Sequence, residues 1–244
     1  MMFSMLTIFT CSFFIRNCHS SVTRDYKNAG FQEYTVLSSS LAARIPDKMD
    51  FSTAVVLPVA VSAATAALFG PDNLGIALPQ ITTPDSSVVG AKKSPSQGTS
   101  TVLIWGGSTS VGCVAIQLAR AAGLQVMTTA SKHNFDLCKE LGADQVFDRN
   151  SESAVEEIVA ALQGKALVGA LNAVGTQNPL QACIDIIIRT RGRKLVATTL
   201  PAEKSVDQKG VQVNFCKLLS PSTVTSLKPP QCVLHTCSLL YLDL

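Results

Sequence analysis

The chain has 244 residues, 47% hydrophobic and 15% charged, so it can bury a sizeable core and falls outside the disordered class. Its net charge of +3 is too small, and its basic residues too scattered beyond short pairs such as Lys92-Lys93, for a nucleic-acid surface. The cysteines, Cys11, Cys18, Cys113, Cys138, Cys183, Cys216, Cys232 and Cys237, form no CxxC pair, and no HExxH occurs; a local zinc signature is absent, and buried reduced thiols in an intracellular protein are expected.

Residues 1–24 begin MMFSMLTIFTCSFFI, an apolar stretch too short to span a bilayer comfortably. It resembles the apolar part of a signal peptide but has no basic residue before it; Arg16 comes after. A weak targeting segment and a leader without function both remain open, and the rest of the chain reads as cytoplasmic. Residues 31–45, FQEYTVLSSSLAARI, predict a strand or two before Pro46. Ser52 is placed to cap a helix from Ala54 to Phe69, an apolar core helix interrupted by Pro58. Residues 79–100, rich in Pro, Ser, Thr and Gly, predict a surface loop.

From Thr101 the rhythm changes. TVLIW is a continuous apolar strand, as expected where helices cover both faces of a sheet. A helix from Val111 to Ala122 ends at Gly123, LQVMTTA is a second strand, and a helix from His133 to Leu141 stops at Gly142. QVFD is a third strand. Ser153 and Glu156 then read as a capping box for a helix reaching Leu162, with Gly164 beyond it. LVGALNAV, a helix from Leu180 to Ile188, and RKLVATT complete the alternation, which predicts an α/β fold with a doubly wound parallel Rossmann sheet. VQVNF offers a sixth strand; the rest of the tail has no clean periodicity.

Between the first strand and its helix stands WGGSTSVGC, residues 105–113. A triphosphate-binding P-loop needs lysine after its last glycine, but Cys113 and Val114 follow Gly112. A short-chain dehydrogenase would carry a YxxxK pair; Gly30 and Ser38 lie four past Tyr26 and Tyr34, and Tyr241 is too near the end. The dinucleotide fingerprint GxGxxG fits over Gly107–Gly112 with Thr109 at its middle position. There Gly107 makes the tight turn and Gly112 admits the helix to the strand. Thr109 holds the loop further from the pyrophosphate, which the hydroxyls of Ser108, Thr109 and Ser110 can reach. The helix start near Val111 adds amide donors and a favourable dipole. NAD sites place Asp or Glu at the end of the second strand, for the ribose 2′-hydroxyl. This chain has TTASKHN, with no acid before Asp136; Ser131 and Lys132 suit a 2′-phosphate, which points to NADP.

GFQEYTVL, VVLPVAVSAATAALF, TVLIWGGSTSVGCVAIQLA, TTASKHNFDLCKELGADQVFD and the glycine after NAV resemble medium-chain dehydrogenases/reductases. The branch most resembled is that of fungal zinc-type alcohol dehydrogenase-like proteins and trans-enoyl reductases, over about residues 25 to 200. The resemblance implies NADPH as cofactor. It implies Ser108, Thr109, Ser110 and Val111 along the pyrophosphate, Ser131, Lys132 and Asn134 around the 2′-phosphate, and Val174 and Gly175 beside the nicotinamide half. Arg149 stands where a tyrosine often follows the aspartate in this branch. The implied organisation is a remnant of a GroES-like domain at 25–50, an NADP-binding Rossmann domain at 51–200 and a divergent tail at 201–244, a chain cut short at both ends relative to the family. No GHE-type zinc motif occurs, so no metal is expected. His19, His133 and His235 have no catalytic context, and no catalytic residue is named.

Two functions remain open. One is an NADPH-dependent oxidoreductase moving hydride to a carbonyl or activated C=C. The other is a non-catalytic NADP(H)-binding remnant or interaction module of the same fold. The expected partners are a small-molecule substrate and, as an open option, further copies of the chain; no nucleic acid and no membrane are expected.

Overall fold

A computed structural model describes residues 50–54, 56–79, 100–203, 206 and 208–216, with the short antiparallel strands β1 (Phe13–Ile15) and β2 (Ala42–Arg44). The remainder of the leader and of the 25–49 segment, the loop at 80–99 and the tail from 217 lie outside the described residues, and so do the expectations drawn on them.

The helix expected from Ala54 to Phe69 is divided into α1 (Phe51–Ala54) and α2 (Leu57–Phe69). Pro58 explains where the second piece begins. In a first turn its missing N–H costs no intrahelical bond and its fixed φ suits the helix, whereas a longer continuous helix would lose a bond there. Ser52 lies inside α1 and donates to Asp50 Oδ1 at 3.0 Å, so it does not cap the longer helix. The small residues of VSAATAA make α2 narrow. It is buried from Ala60 to Phe69 and packs against α3 (Ser110–Ala121).

The six-stranded sheet is β3 (Ser100–Trp105), β4 (Gln125–Ala130), β5 (Gln145–Asp148), β6 (Ala166–Asn172), β7 (Leu195–Thr198) and β8 (Gln212–Phe215). Every pairing is parallel, in the spatial order β5-β4-β3-β6-β7-β8, so the doubly wound arrangement and the sixth strand both stand as expected. β3 shows why its sequence is apolar throughout. Val102 and Ile104 join the core beneath α2 and α3, while Leu103 and Trp105 join the opposite core with Ile158, Leu180 and Ile184. Period-two alternation sends neighbouring side chains to opposite faces, and both faces are covered.

The remaining helices are α4 (Phe135–Glu140), entered through a 3-10 turn at Lys132–Asn134, α5 (Ala154–Ala161) and α6 (Gln177–Arg189). The capping box before α5 does not form. Ser153 has ψ 3°, far from the extended conformation that aims an N-cap hydroxyl back at the helix amides, and its Oγ donates to Glu157 Oε1 at 2.5 Å instead. α6 starts three residues before the expected Leu180, taking Pro179 into its first turn. No helix among the described residues is long and apolar enough to cross a membrane.

Candidate functional site

Strand order reverses at β3: β4 lies on one side and β6 on the other, and the chain crosses to opposite faces. In an open parallel sheet this switch leaves a crevice at the carboxyl ends of the strands. The loop Gly106–Thr109 opens onto that edge, ahead of α3.

The turn is made at Gly106, with φ +92°, and not at Gly107 as the fingerprint alone suggests. The reason is pairing with β4. The Gly106 amide donates to Thr129 Oγ1 at 3.0 Å and the Gly107 amide to the Thr129 carbonyl at 2.8 Å, so the chain must reverse at the first glycine. Gly107 serves close approach: a Cβ there would lie 2.2 Å from Thr128 Oγ1. Gly112 does the same for the helix, since its Cβ would lie 2.1 Å from the Gly106 carbonyl oxygen. α3 therefore begins in direct contact with the loop.

Thr109 is the N-cap of α3, in extended conformation. Its Oγ1 donates to the Gly106 carbonyl at 2.8 Å and accepts from the Gly112 amide at 3.0 Å. The hydroxyl expected to face a pyrophosphate is thus engaged within the loop, while Ser108 is half-buried and Ser110 exposed at its mouth. A helix's first amides have no intrahelical acceptor. Thr109 satisfies one of them, at Gly112; those of Ser110 and Val111 find no acceptor among the described residues. Two amide donors and the positive end of a twelve-residue helix point out of the loop, an arrangement suited to an anion.

Ser131, Lys132 and Asn134 follow the end of β4, next to this loop. Register brings in two groups that spacing did not reveal. Ala130 pairs with Asp148 across β4 and β5, so Asp148 and Arg149 stand beside Ser131 and Lys132. On the other flank, Val174 and Gly175 follow β6, and a Cβ on Gly106 would meet Val174 Cγ2 at 2.6 Å. Their turn is held by Asn172, fully buried at the end of β6. Its Oδ1 accepts from the amides of Val174 at 3.2 Å and Gly175 at 3.0 Å, and its Nδ2 donates to the Thr176 carbonyl at 3.2 Å. An asparagine directly before a small-residue turn was the available signal, since such side chains bind nearby backbone. The structure thus brings Gly107, Ser108, Thr109, Ser110, Val111 and Gly112 to one edge with Ser131, Lys132, Asn134, Val174 and Gly175.

The family model of zinc-binding dehydrogenases matches residues 110–221. Dehydrogenase azaJ of Aspergillus niger is 41% identical over 199 residues, which are 80% of this chain and 53% of azaJ. Trans-enoyl reductase himH of Aspergillus japonicus is 38% identical over 187 residues, 77% of this chain and 50% of himH. The chain belongs to the medium-chain dehydrogenase/reductase superfamily. It spans about half the length of the curated relatives it matches. A solved structure, that of CurK enoyl reductase, shares the fold at TM-score 0.56 and 20% identity, the match covering 85% of this chain and 55% of that one.

Among the described residues of this medium-chain dehydrogenase/reductase chain, no three His, Cys, Asp or Glu side chains gather to hold a metal ion. Cys138, Cys183 and Cys216 are buried and Cys113 is half-buried, all with free thiols. Burial pushes each thiol up, Cys138 to about 11 with a smaller push from Cys113, and Cys216 to about 12. They pack as small hydrophobic side chains.

Proposed function

We propose that this chain binds NADPH along the carboxyl edge of the sheet and acts as an oxidoreductase on a carbonyl or an activated C=C of a small molecule. The observation that carries the reading is the Gly106–Gly112 loop. Its glycines leave no room for a Cβ at Gly106, Gly107 or Gly112, and two amides at the start of α3 face outward. Those residues fit a dinucleotide: the amides of Ser110 and Val111 and the hydroxyls of Ser108 and Ser110 would hold the pyrophosphate. Thr109 would act from behind by fixing the turn. Ser131, Lys132 and Asn134 would take the 2′-phosphate, and the turn Val174–Gly175, held by Asn172, would bound the nicotinamide half. The bound cofactor supplies hydride; the protein's part is to orient it and the substrate. The names of azaJ and himH, a dehydrogenase and a trans-enoyl reductase, support the reaction class.

A nucleotide cradle on these residues is all that a non-catalytic NADP(H)-binding module of the same fold would use. One titration and one assay separate the readings. Trp105 is the only tryptophan, is 6% exposed and directly precedes Gly106. Saturable quenching of its fluorescence by NADPH, weaker with NADH, is expected. A folded sample that responds to neither would refute the cofactor site. NADPH consumption with enones, quinones or aldehydes then supports the enzyme; binding with no turnover across such a panel leaves the module.

A further inference from the structure

The open end of β4 carries a group of charges whose members come from two strands. The ladder sets Ala130 opposite Asp148, and the next residues, Ser131 and Arg149, are in direct contact. Arg149 Nε donates to Ser131 Oγ at 2.9 Å, and its backbone amide donates to the Ala130 carbonyl at 3.0 Å. Lys132 Nζ lies 3.7 Å from Asp148 Oδ2.

The two cations are not equivalent. Asp148 is mostly covered, with a side chain 17% exposed, and its Oδ1 accepts the Asn150 amide at 3.0 Å, which fixes it in place. A fixed carboxylate offsets much of the pull that Lys132, 81% exposed, exerts on an incoming anion. Lys132 and Asp148 alone would leave this end near neutrality, a setting that accepts a ribose diol as readily as a phosphate. Arg149 forms no ion pair among the described residues; its side-chain partner is a neutral hydroxyl. That contact uses Nε and leaves both terminal nitrogens of the fork free of described partners. A guanidinium fork matches two oxygens of a phosphate monoester, which a lysine head does not.

We propose that Arg149, oriented by Ser131, is the residue that distinguishes a 2′-phosphate from a 2′-hydroxyl on the adenosine ribose. Lys132 is divided between that phosphate and Asp148. The inference rests on the NADPH reading above and adds to it a specificity determinant outside the β4–α4 loop.

The test is calorimetric titration of the full chain with NADPH, NADH, 2′,5′-ADP and 5′-AMP, for wild type, Arg149→Gln, Arg149→Lys and Lys132→Gln. Arg149 is exposed, so its replacement leaves the core intact, and circular dichroism checks that. Wild type is expected to favour 2′,5′-ADP over 5′-AMP. Arg149→Gln is expected to weaken NADPH and 2′,5′-ADP by about ten- to a hundredfold while NADH and 5′-AMP change by less than about threefold. Arg149→Lys should restore part of the loss, because it returns the charge without the fork. If wild type favours NADPH and Arg149→Gln keeps that preference while Lys132→Gln abolishes it, the assignment to Arg149 is overturned and the cofactor reading stands. If wild type binds both dinucleotides and shows no preference for NADPH, the NADPH reading falls and the inference with it.

Discussion

Replacing Thr109 with valine separates two roles for one hydroxyl. Valine keeps the volume and the β-branch but removes the bond to the Gly106 carbonyl and the acceptor for the Gly112 amide. Losing a threonine N-cap costs about 1 kcal/mol, and up to about 2 in a protein host. The upper part of that range applies, because Gly112 is buried and water cannot easily replace the acceptor. The Gly106 carbonyl adds little, since it retains the Thr109 amide at 3.0 Å. A loss of about 1–2 kcal/mol corresponds to a fall in Tm of about 2–8 °C for a chain of this size. If the hydroxyl instead faced the cofactor, stability would hardly change and NADPH affinity would drop about ten- to a hundredfold, the worth of a bond to a charged phosphate. Thermal unfolding by circular dichroism and NADPH titration on the same samples of wild type, Thr109→Val and Thr109→Ser decide between them. The expected pattern is a lower Tm for valine, a near-native Tm for serine, and NADPH affinity within about threefold for both. An unchanged Tm with a tenfold or greater loss of affinity (about 1.4 kcal/mol) would refute the capping role.

Asn172→Leu should be destabilising, because it strands the buried Gly175 amide at about 1–3 kcal/mol and also unpairs the half-buried Val174 amide and the Thr176 carbonyl, which water can partly satisfy. A urea midpoint equal to wild type would show that the Val174–Gly175 turn holds without it. The buried thiols predict alkaline weakening. Burial raises their pKa in the fold, so above about pH 8.5 the unfolded chain loses protons that the folded chain keeps. Stability should be flat below that pH and fall above it, by up to about 1.4 kcal/mol per pH unit for each thiol. The fall should continue towards the folded values near 11 for Cys138 and 12 for Cys216. Urea unfolding from about pH 8 to 10.5 should give a shallower fall in Cys183→Ala than in wild type. Parallel curves would dismiss the contribution of Cys183.

The fold was legible where burial is two-sided. TVLIW, LQVMTTA and LVGALNAV can only be strands covered on both faces, and the glycines and helical patterns between them leave one connectivity. What was not legible depended on choices between near-equal local bonds. Ser153 had Glu157 as well as the helix amides within reach, and ψ near zero settled it for Glu157. In the pair Gly106-Gly107 either glycine can take a positive φ, and the ladder to Thr129 selected the first. The charge group at the end of β4 was out of reach for another reason. Asp148 and Arg149 join Ser131 only through strand register, a contact between residues 18 apart that no local spacing encodes.

The threonine at the middle of the loop ties these observations together. A glycine there would let the backbone close on the pyrophosphate; Thr109 instead turns its side chain inward and places Cγ2 3.4 Å from where a Gly106 Cβ would stand. The loop is then filled by its own methyl and stiffened by its own cap, and α3 presents just its first free amides, Ser110 and Val111, to a ligand. A phosphate held by two amides and a helix dipole gains less than one cradled by a close-fitting glycine loop. The remaining attraction must come from elsewhere on the same edge, and the group that carries a charge no described carboxylate offsets is Arg149, next to Ser131. In the proposed complex, rigidity at the pyrophosphate and charge at the far ribose would be complementary. On the proposed NADPH reading, the capped loop would fix where the dinucleotide backbone lies, and that fixed position would make the identity of a residue at the β5 end matter for which dinucleotide is held.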